Sequence, residues 1–170
     1  MSSLLKSIRK VDTSIKKKIP GEYFSFPPEV DLFFKWLPAC YVLIANATGA
    51  KTKNSFIKRI IIITLSEAVQ NSAVQFLKKR IPRRRPGSLF KLDSFPSSHT
   101  ATSFSGAEIL HSEINPYSPA LSLTGYTVAV ATAALRLYKK KHWFSDIVAG
   151  AIIGIVSAKL SQGIYTNLSR

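Results

Sequence analysis

The sequence predicts an all-α integral membrane protein, a helical bundle of about five transmembrane helices preceded by an N-terminal amphipathic interfacial helix. Two observations carry this prediction. The 170 residues have a formal net charge of +15, yet 46% of them are hydrophobic. The cations are also clustered, because 17 of the 24 lysines and arginines fall within residues 1–20, 78–91 and 136–141. Clustered cations between long apolar runs are typical of membrane proteins with basic interfacial loops.

The same composition excludes several other classes of protein. A disordered basic tail lacks the apolar residues that this chain has in abundance. A soluble domain mixes charges of both signs on its surface, whereas only 9 residues here are acidic. A basic nucleic-acid-binding module explains the positive charge and stays an alternative, but it has no need for the 22 uncharged residues of segment 114–135, and solubility without detergent would distinguish it. The single Cys40 excludes an internal disulfide and a cysteine-based zinc site.

Residues 1–20 are predicted to form the amphipathic helix, because apolar residues recur three or four positions apart among lysines and arginines. The apolar positions are Leu4, Ile8, Val11, Ile15 and Ile19. Such a helix is suited to lie along an anionic membrane surface, although a helix packed on its own soluble domain shows the same pattern. The predicted division of the chain is therefore an interfacial helix, 1–20, and a transmembrane domain, 21–170.

Five segments are predicted to span the membrane: 32–50, 60–77, 100–110, 114–135 and 144–163. An aromatic cluster within residues 23–36 suits the headgroup level at the start of the first span. Hydropathy alone supports the third and fifth segments weakly. Both contain the small residues that helix interfaces in membranes prefer, including the pair Gly150 and Gly154.

Polar residues form a stripe along one face of the second predicted span and continue to the start of the following loop. It consists of Glu67, Asn71, Gln75 and Lys78 at helical spacing. Such residues must face protein or water rather than lipid. Five spans place the loops at 78–99 and 136–143 on the same side of the membrane, together with the N-terminal helix. The densest cations and the polar residues are therefore predicted to converge at one membrane face.

Three cations in these loops predict an anion site. Arginine presents a planar fork that matches phosphate oxygens, and lysine supplies a compact positive charge. Transfer of a phosphoryl group requires mainly positioning and neutralisation of charge on its oxygens. Lys78, Arg85 and Arg136 can provide this neutralisation.

Two histidines accompany these cations. His142 and Asp146 are four residues apart at the start of a predicted helix, so they can share one face. A carboxylate that accepts from one ring nitrogen leaves the other nitrogen free to act as a nucleophile. His99 follows Ser97 and Ser98 at the predicted start of the third span, where free backbone amides bind anions.

Three ordered motifs resemble those of the type 2 phosphatidic acid phosphatase (PAP2) superfamily, which also includes vanadium haloperoxidases. They are K-x6-R-P at 78–86, P-S-S-H at 96–99 and R-x5-H-x3-D at 136–146. The sequence departs from the family pattern at two positions. Ser98 stands where the family has glycine, and Leu135 stands where it has a serine before the arginine.

The resemblance implies a role for each motif residue and identifies 21–170 as a PAP2-type phosphatase domain. His142 would attack phosphorus and form a phosphohistidine, Asp146 would orient it, and His99 would protonate the leaving group. The phosphate-binding residues would be Lys78, Arg85, Arg136, Ser97 and Ser98. The family chemistry implies neither a metal nor any other cofactor.

The resemblance extends to small bacterial lipid phosphatases, including lipid A 1-phosphatases. The substrate we expect is lipid A 1-phosphate, because the further cations of the basic loops, Arg83 among them, suit a substrate with several anionic groups. Undecaprenyl diphosphate and phosphatidylglycerophosphate remain alternatives, as does a non-catalytic basic lipid-binding membrane protein. The expected partners are the lipid phosphate and anionic membrane lipids, without nucleic acid. The resemblance favours a bacterial inner membrane protein with its site facing the periplasm, whereas a count of cations favours the cytoplasm.

Overall fold

Seven α-helices form in residues 2–19 and 27–168, the part of the chain that the computed structural model describes. They are α1 (Ser2–Lys18), α2 (Pro28–Ile44), α3 (Phe56–Arg80), α4 (Ser98–Ile114), α5 (Pro119–Ser122), α6 (Thr124–Tyr138) and α7 (Phe144–Leu168). A short 3-10 turn, Ala45–Thr48, follows α2. The described residues contain no β-strand, so the all-α prediction is confirmed.

Helix α4 lies at the centre of the bundle and packs against α2, α3, α6 and α7. Twelve of its 17 residues are buried, and most of these are Ser, Thr, Ala or Gly. Small side chains allow neighbouring helices to approach closely, and a helix that faces protein on all sides has no need of lipid-compatible bulk. This explains why the third predicted span has a weak hydropathy signal.

Four helical segments are long and apolar enough to cross a membrane: Glu29–Ala47, Phe56–Arg80, Pro119–Tyr138 and Phe144–Asn167. They correspond to the first, second, fourth and fifth predicted spans, so the chain is a helical membrane bundle. One predicted boundary is wrong. The fourth span does not begin at Ile114, which ends α4, because Pro116 and Pro119 separate the two helices.

Helix α1 confirms the N-terminal helix as far as Lys18 and lies against α7. It exposes Leu4 and Leu5 but buries Asp12. The predicted domain boundary at 20/21 and the aromatic residues at 23–26 lie outside the described residues.

The three basic segments meet at one end of the bundle, as the span count predicts. The Lys16 ammonium donates to the carbonyl oxygen of Pro86 at 3.0 Å, which joins α1 to the loop 81–97. The Gly87 amide donates to the carbonyl of Lys140 at 2.9 Å, which joins that loop to the loop 139–143. Residues from distant parts of the sequence are thereby held around one region.

The polar stripe of α3 faces protein at its middle and a cavity at its upper end. Glu67 accepts from Gln70 at 2.8 Å and from Thr102 of α4 at 3.4 Å. Gln75 and Lys78 line the cavity described below. The stripe therefore leads from the bundle interior to the basic end, in agreement with the sequence-based prediction.

Candidate active site

A cavity of about 440 Å³ opens at the basic end of the bundle. Six of the eight predicted site residues line it: Lys78, Arg85, Ser98, His99, Arg136 and His142. These residues come from α3, α4, α6 and the two basic loops. The other two, Ser97 and Asp146, are fully buried and lie outside the cavity lining.

His142 lies in the loop between α6 and α7 and is only 3% exposed. Its Nδ1 lies 2.7 Å from the carbonyl oxygen of Ser94. A carbonyl oxygen can only accept, so Nδ1 carries the proton and Nε2 keeps its lone pair. Burial lowers the pKa of His142 below its ordinary value and outweighs the raising effect of the Asp146 carboxylate. The ring is therefore neutral at neutral pH, which is the state required of a nucleophile.

Asp146, in the first turn of α7, anchors the residues that orient His142. Its carboxylate accepts from the Ser94 hydroxyl at 2.5 Å, the Trp143 amide at 2.9 Å and Arg83 Nη1 at 2.5 Å. Its Oδ2 lies 3.9 Å from Nδ1 of His142. The direct hydrogen-bond partner of the ring is thus the Ser94 carbonyl, and Asp146 reaches the ring through Ser94.

Lys78 and Arg85 are held at the cavity by Asp93. Arg85 donates from Nε and Nη2 to the two carboxylate oxygens of Asp93, at 2.8 and 2.6 Å. The Lys78 ammonium donates to the backbone carbonyl of the same residue. Partial burial raises the pKa of Asp93, but the hydrogen bonds and charge of Arg85 outweigh this and hold it below its ordinary value. Asp93 therefore holds Arg85 by its ionised carboxylate and Lys78 by its backbone carbonyl, both beside the cavity.

Arg136 reaches the cavity from the last turn of α6 and is only 5% exposed. Its Nη1 donates to Asp31 of α2 at 2.6 Å, and the Lys139 ammonium lies 3.0 Å from the other oxygen of that carboxylate. A buried guanidinium requires a counterion. Asp31 supplies the counterion and fixes the direction of the fork.

The N-terminus of α4 contributes His99 and backbone amides to the cavity. Ser97 caps the helix, because its hydroxyl accepts from the Thr100 amide at 3.4 Å and lies 2.9 Å from the Thr100 hydroxyl. Ser97, a predicted phosphate-binding residue, thus holds the start of α4 through this capping contact. Ser98 and His99 occupy the first turn, where amides without intrahelical partners favour anions.

Gly150 and Gly154 bring α7 close to α4 beneath the cavity, as their spacing suggests. A Cβ at Gly150 would lie 2.5 Å from the carbonyl oxygen of Ser97. A Cβ at Gly154 would lie 2.2 Å from the carbonyl oxygen of Ala101. The obstructing atoms belong to the backbone, so neither residue can gain a side chain without separating the helices.

We expect Gly154→Ala to lower the free energy of unfolding by about 1–3 kcal/mol, because overpacking forces a buried interface apart. Gly163→Ala is the matched control, since a Cβ at Gly163 meets nothing within 4 Å. The measurement is the melting temperature of each variant in detergent. Equal melting temperatures for the two variants would show that α4 and α7 are not in close contact.

The sequence motifs do not identify several residues that hold this site together. Ser94 acts through its backbone carbonyl, and a carbonyl leaves no trace in a sequence pattern. Asp31 and Asp93 are acids near clustered cations, but nothing in the sequence assigns each acid to its partner. Asp12 did have a signal, because it is the only acidic residue among residues 1–20. Arg83 is predicted only as one of the cations suited to the substrate, because other cations surround it in the sequence.

Residues 36–170 match the PAP2 superfamily. The chain is 33% identical over 141 residues to a lipid A 1-phosphatase of Porphyromonas gingivalis. That match covers 82% of this chain but only 32% of the relative, so the chain spans about a third of that protein's length.

Two solved structures share the fold. The crystal structure of LpxE from Aquifex aeolicus is similar with a TM-score of 0.63 and 22% identity, over 91% of this chain and 94% of that one. The first transmembrane PAP2 type phosphatidylglycerolphosphate phosphatase from Bacillus subtilis is similar with a TM-score of 0.66 and 17% identity. That similarity covers 96% of this chain and 89% of the other. At these identities the likeness concerns the fold alone.

Proposed function

The chain belongs to the PAP2 superfamily, and from this premise we propose that it is a membrane hydrolase that removes phosphate from a lipid through a phosphohistidine intermediate. One observation carries the proposal. Residues from all three motifs line a single cavity, where a neutral His142 stands among Lys78, Arg85 and Arg136. Three cations around a neutral nucleophile are the arrangement that phosphoryl transfer requires.

In the proposed first step, Nε2 of His142 attacks phosphorus and the bond from phosphorus to the lipid oxygen breaks. His99, protonated in the complex with the anionic phosphate, gives a proton to that oxygen, so the lipid leaves as an alcohol. The negative charge on the phosphoryl oxygens is neutralised by the cations and by first-turn amides of α4. In the second step, His99 accepts a proton from water, the water oxygen attacks phosphorus, the bond from phosphorus to Nε2 of His142 breaks, and inorganic phosphate is released.

We propose lipid A 1-phosphate as the substrate. The lipid A 1-phosphatase from Porphyromonas gingivalis supports this choice, because 82% of this chain aligns with it at 33% identity. Lys79 also lines the cavity without belonging to a motif, so the site has more positive charge than one phosphate needs. Undecaprenyl diphosphate and phosphatidylglycerophosphate are the competing substrates.

The proposed location is the bacterial inner membrane with the cavity facing the periplasm. Helix α1 is proposed to lie in the interface on that side as a segment separate from the PAP2 domain, because it exposes Leu4 and Leu5 while carrying basic residues. The resemblance to the family supports this orientation, against the count of cations at the two ends. Arg59 adds no surface charge to the end opposite the cavity, since it is 1% exposed and donates to Val42 and Asn46 inside the protein.

Phosphate release from a panel of lipids tests this function. Purified protein in detergent receives lipid A, undecaprenyl diphosphate, phosphatidylglycerophosphate or phosphatidic acid, each with and without EDTA. We expect fastest release from lipid A and an unchanged rate with EDTA, because histidine and the cations supply every group used above. Faster release from a simpler lipid would replace the proposed substrate. No release from any lipid would favour phosphotransfer to another lipid or a non-catalytic lipid-binding protein.

A further inference from the structure

Helix α1 makes specific polar contacts with the back of the active site. Asp12 is 2% exposed, and its carboxylate accepts from the amide and the hydroxyl of Ser145 at 2.9 and 2.8 Å. It also accepts from Nη2 of Arg83 at 2.5 Å. Burial of an ionised carboxylate is costly unless it is paired and hydrogen-bonded. The paired Asp12 therefore fixes the position of α1 on the start of α7.

Arg83 connects Asp12 to Asp146. Its Nη1 donates to Asp146 at 2.5 Å and to the Ser145 hydroxyl at 2.7 Å, while Nη2 serves Asp12. The planar guanidinium fork can hold two carboxylates at fixed directions, which a lysine cannot do. Since Asp146 is fully buried, Arg83 is the cation that compensates its charge. Arg83 thus holds the carboxylate that in turn binds Ser94.

A second contact lies one helical turn along α1. Lys16 donates to the carbonyl of Pro86 and stands 5.3 Å from the centre of the Trp143 ring. Arg83 stands 5.5 Å from the same ring centre. Residues of α1 and the loop of His142 enclose a remaining space of only about 10 Å³. A space of this size holds at most one water molecule, so α1 closes the rear of the His142 loop.

We propose that Arg83 and Asp12 are positioning residues and that α1 acts on the active site through Asp12. Asp12 holds Arg83, Arg83 holds Asp146, Asp146 binds the Ser94 hydroxyl, and the Ser94 carbonyl holds Nδ1 of His142. Without Arg83, the Asp146 carboxylate can turn to other hydrogen-bond donors and release Ser94. The His142 ring then no longer has a fixed orientation toward phosphorus. This inference rests on the proposed function. It makes Arg83 a positioning residue, whereas the sequence predicts it as one of the further cations that suit the substrate.

The test compares Arg83→Gln, Asp12→Ala and the double variant in the full-length protein, with the panel lipid that is hydrolysed fastest. We expect kcat to fall about tenfold to a hundredfold for Arg83→Gln, because a small misplacement of a catalytic group has effects of this size. KM should stay unchanged, because neither side chain meets the substrate. The double variant should lose far less than the product of the single effects, since Asp12 acts largely through Arg83.

Arg9→Gln is the matched control, because it removes the same type of charge from an exposed position on α1. Its kcat should equal that of the unaltered protein. A rise in KM with unchanged kcat for Arg83→Gln would show that Arg83 binds substrate and would overturn the inference. A fall in kcat of the double variant equal to the product of the two single falls would also overturn the inference.

A second measurement does not depend on activity and separates this inference from the proposed function. Hydrogen exchange of the segment 142–147 should be faster in Asp12→Ala and Arg83→Gln than in Arg9→Gln, because the Ser145 amide donates to Asp12. Unchanged exchange would overturn the positioning role. If exchange is faster in these two variants as expected but the unaltered protein releases no phosphate, the proposed function is overturned and the positioning contacts are not.

Discussion

Replacement of His142 by alanine is expected to lower lipid phosphate release by at least about a thousandfold, because removal of a nucleophile that forms a covalent intermediate leaves only binding and charge stabilisation. The His142 side chain lies where it can attack the phosphorus of a phosphate bound in the cavity. Its ring is neutral, its Nδ1 is bound to the Ser94 carbonyl, and it lines the cavity between the phosphate-binding cations. The measurement is phosphate release at saturating lipid, with the melting temperature recorded for each preparation.

His111→Ala is the control for this experiment. His111 lies in the last turn of α4, at the end of the helix opposite the cavity, and its Nδ1 is 3.0 Å from the Ser122 hydroxyl. Its replacement removes the same chemical group without touching the site, so phosphate release should persist. Full activity of His142→Ala would contradict the assignment of the nucleophile, and equal losses in both variants would indicate a general loss of structure.

A covalent intermediate gives this prediction a direct readout. Lipid labelled with ³²P in the reacting phosphate should transfer label to the protein when the reaction is quenched in base, because phosphohistidine survives base and is lost in acid. Label should be absent from His142→Ala and present in His111→Ala. Label that is stable in acid and lost in base would instead indicate a different nucleophile.

The sequence alone predicts where the motif residues lie in the bundle, because their spacing limits the positions that they can take. Lys78 and Arg85 end one span and begin the next loop, His99 begins α4, and His142 precedes α7. Once the number of spans is known, all of these must lie at the same end of the bundle. The cavity lined by these residues confirms that argument.

The second layer of contacts could not be predicted, because it depends on pairings between distant positions. Arg136 pairs with Asp31 across 105 positions, and Arg83 pairs with Asp12 across 71. Any of the abundant cations could have paired with either acid on the sequence alone. The weak third span has a related cause. Hydropathy measures suitability for lipid, and α4 is surrounded by protein.

The case of Ser97 shows how a correct motif leaves the function of a side chain open. The motif predicts a phosphate ligand, yet the hydroxyl caps α4 through Thr100. The amide of Ser97 donates to the carbonyl of Asp146 at 3.0 Å, so the residue also joins the start of α4 to the start of α7. These contacts place the first turn of α4, and a direct contact of the hydroxyl with phosphate stays a prediction.

Replacement of His99 by alanine is expected to slow phosphate release from lipid by about a hundredfold to ten-thousandfold, the usual contribution of general acid catalysis. The argument depends on the leaving group. A lipid or sugar alkoxide is a poor leaving group without a proton, whereas the nitrophenolate of p-nitrophenyl phosphate departs without one. The first step of His99→Ala should therefore be nearly normal with the aryl substrate.

The second step still requires His99, because water must lose a proton as it attacks the phosphohistidine. His99→Ala should consequently release a stoichiometric burst of nitrophenol and then continue slowly, while His142→Ala should give no burst. Rapid-mixing absorbance measurements distinguish these results. If His99→Ala lost activity equally on both substrates and showed no burst, His99 would not be the proton donor, and its place beside Arg136 at the cavity would instead indicate a role in phosphate binding.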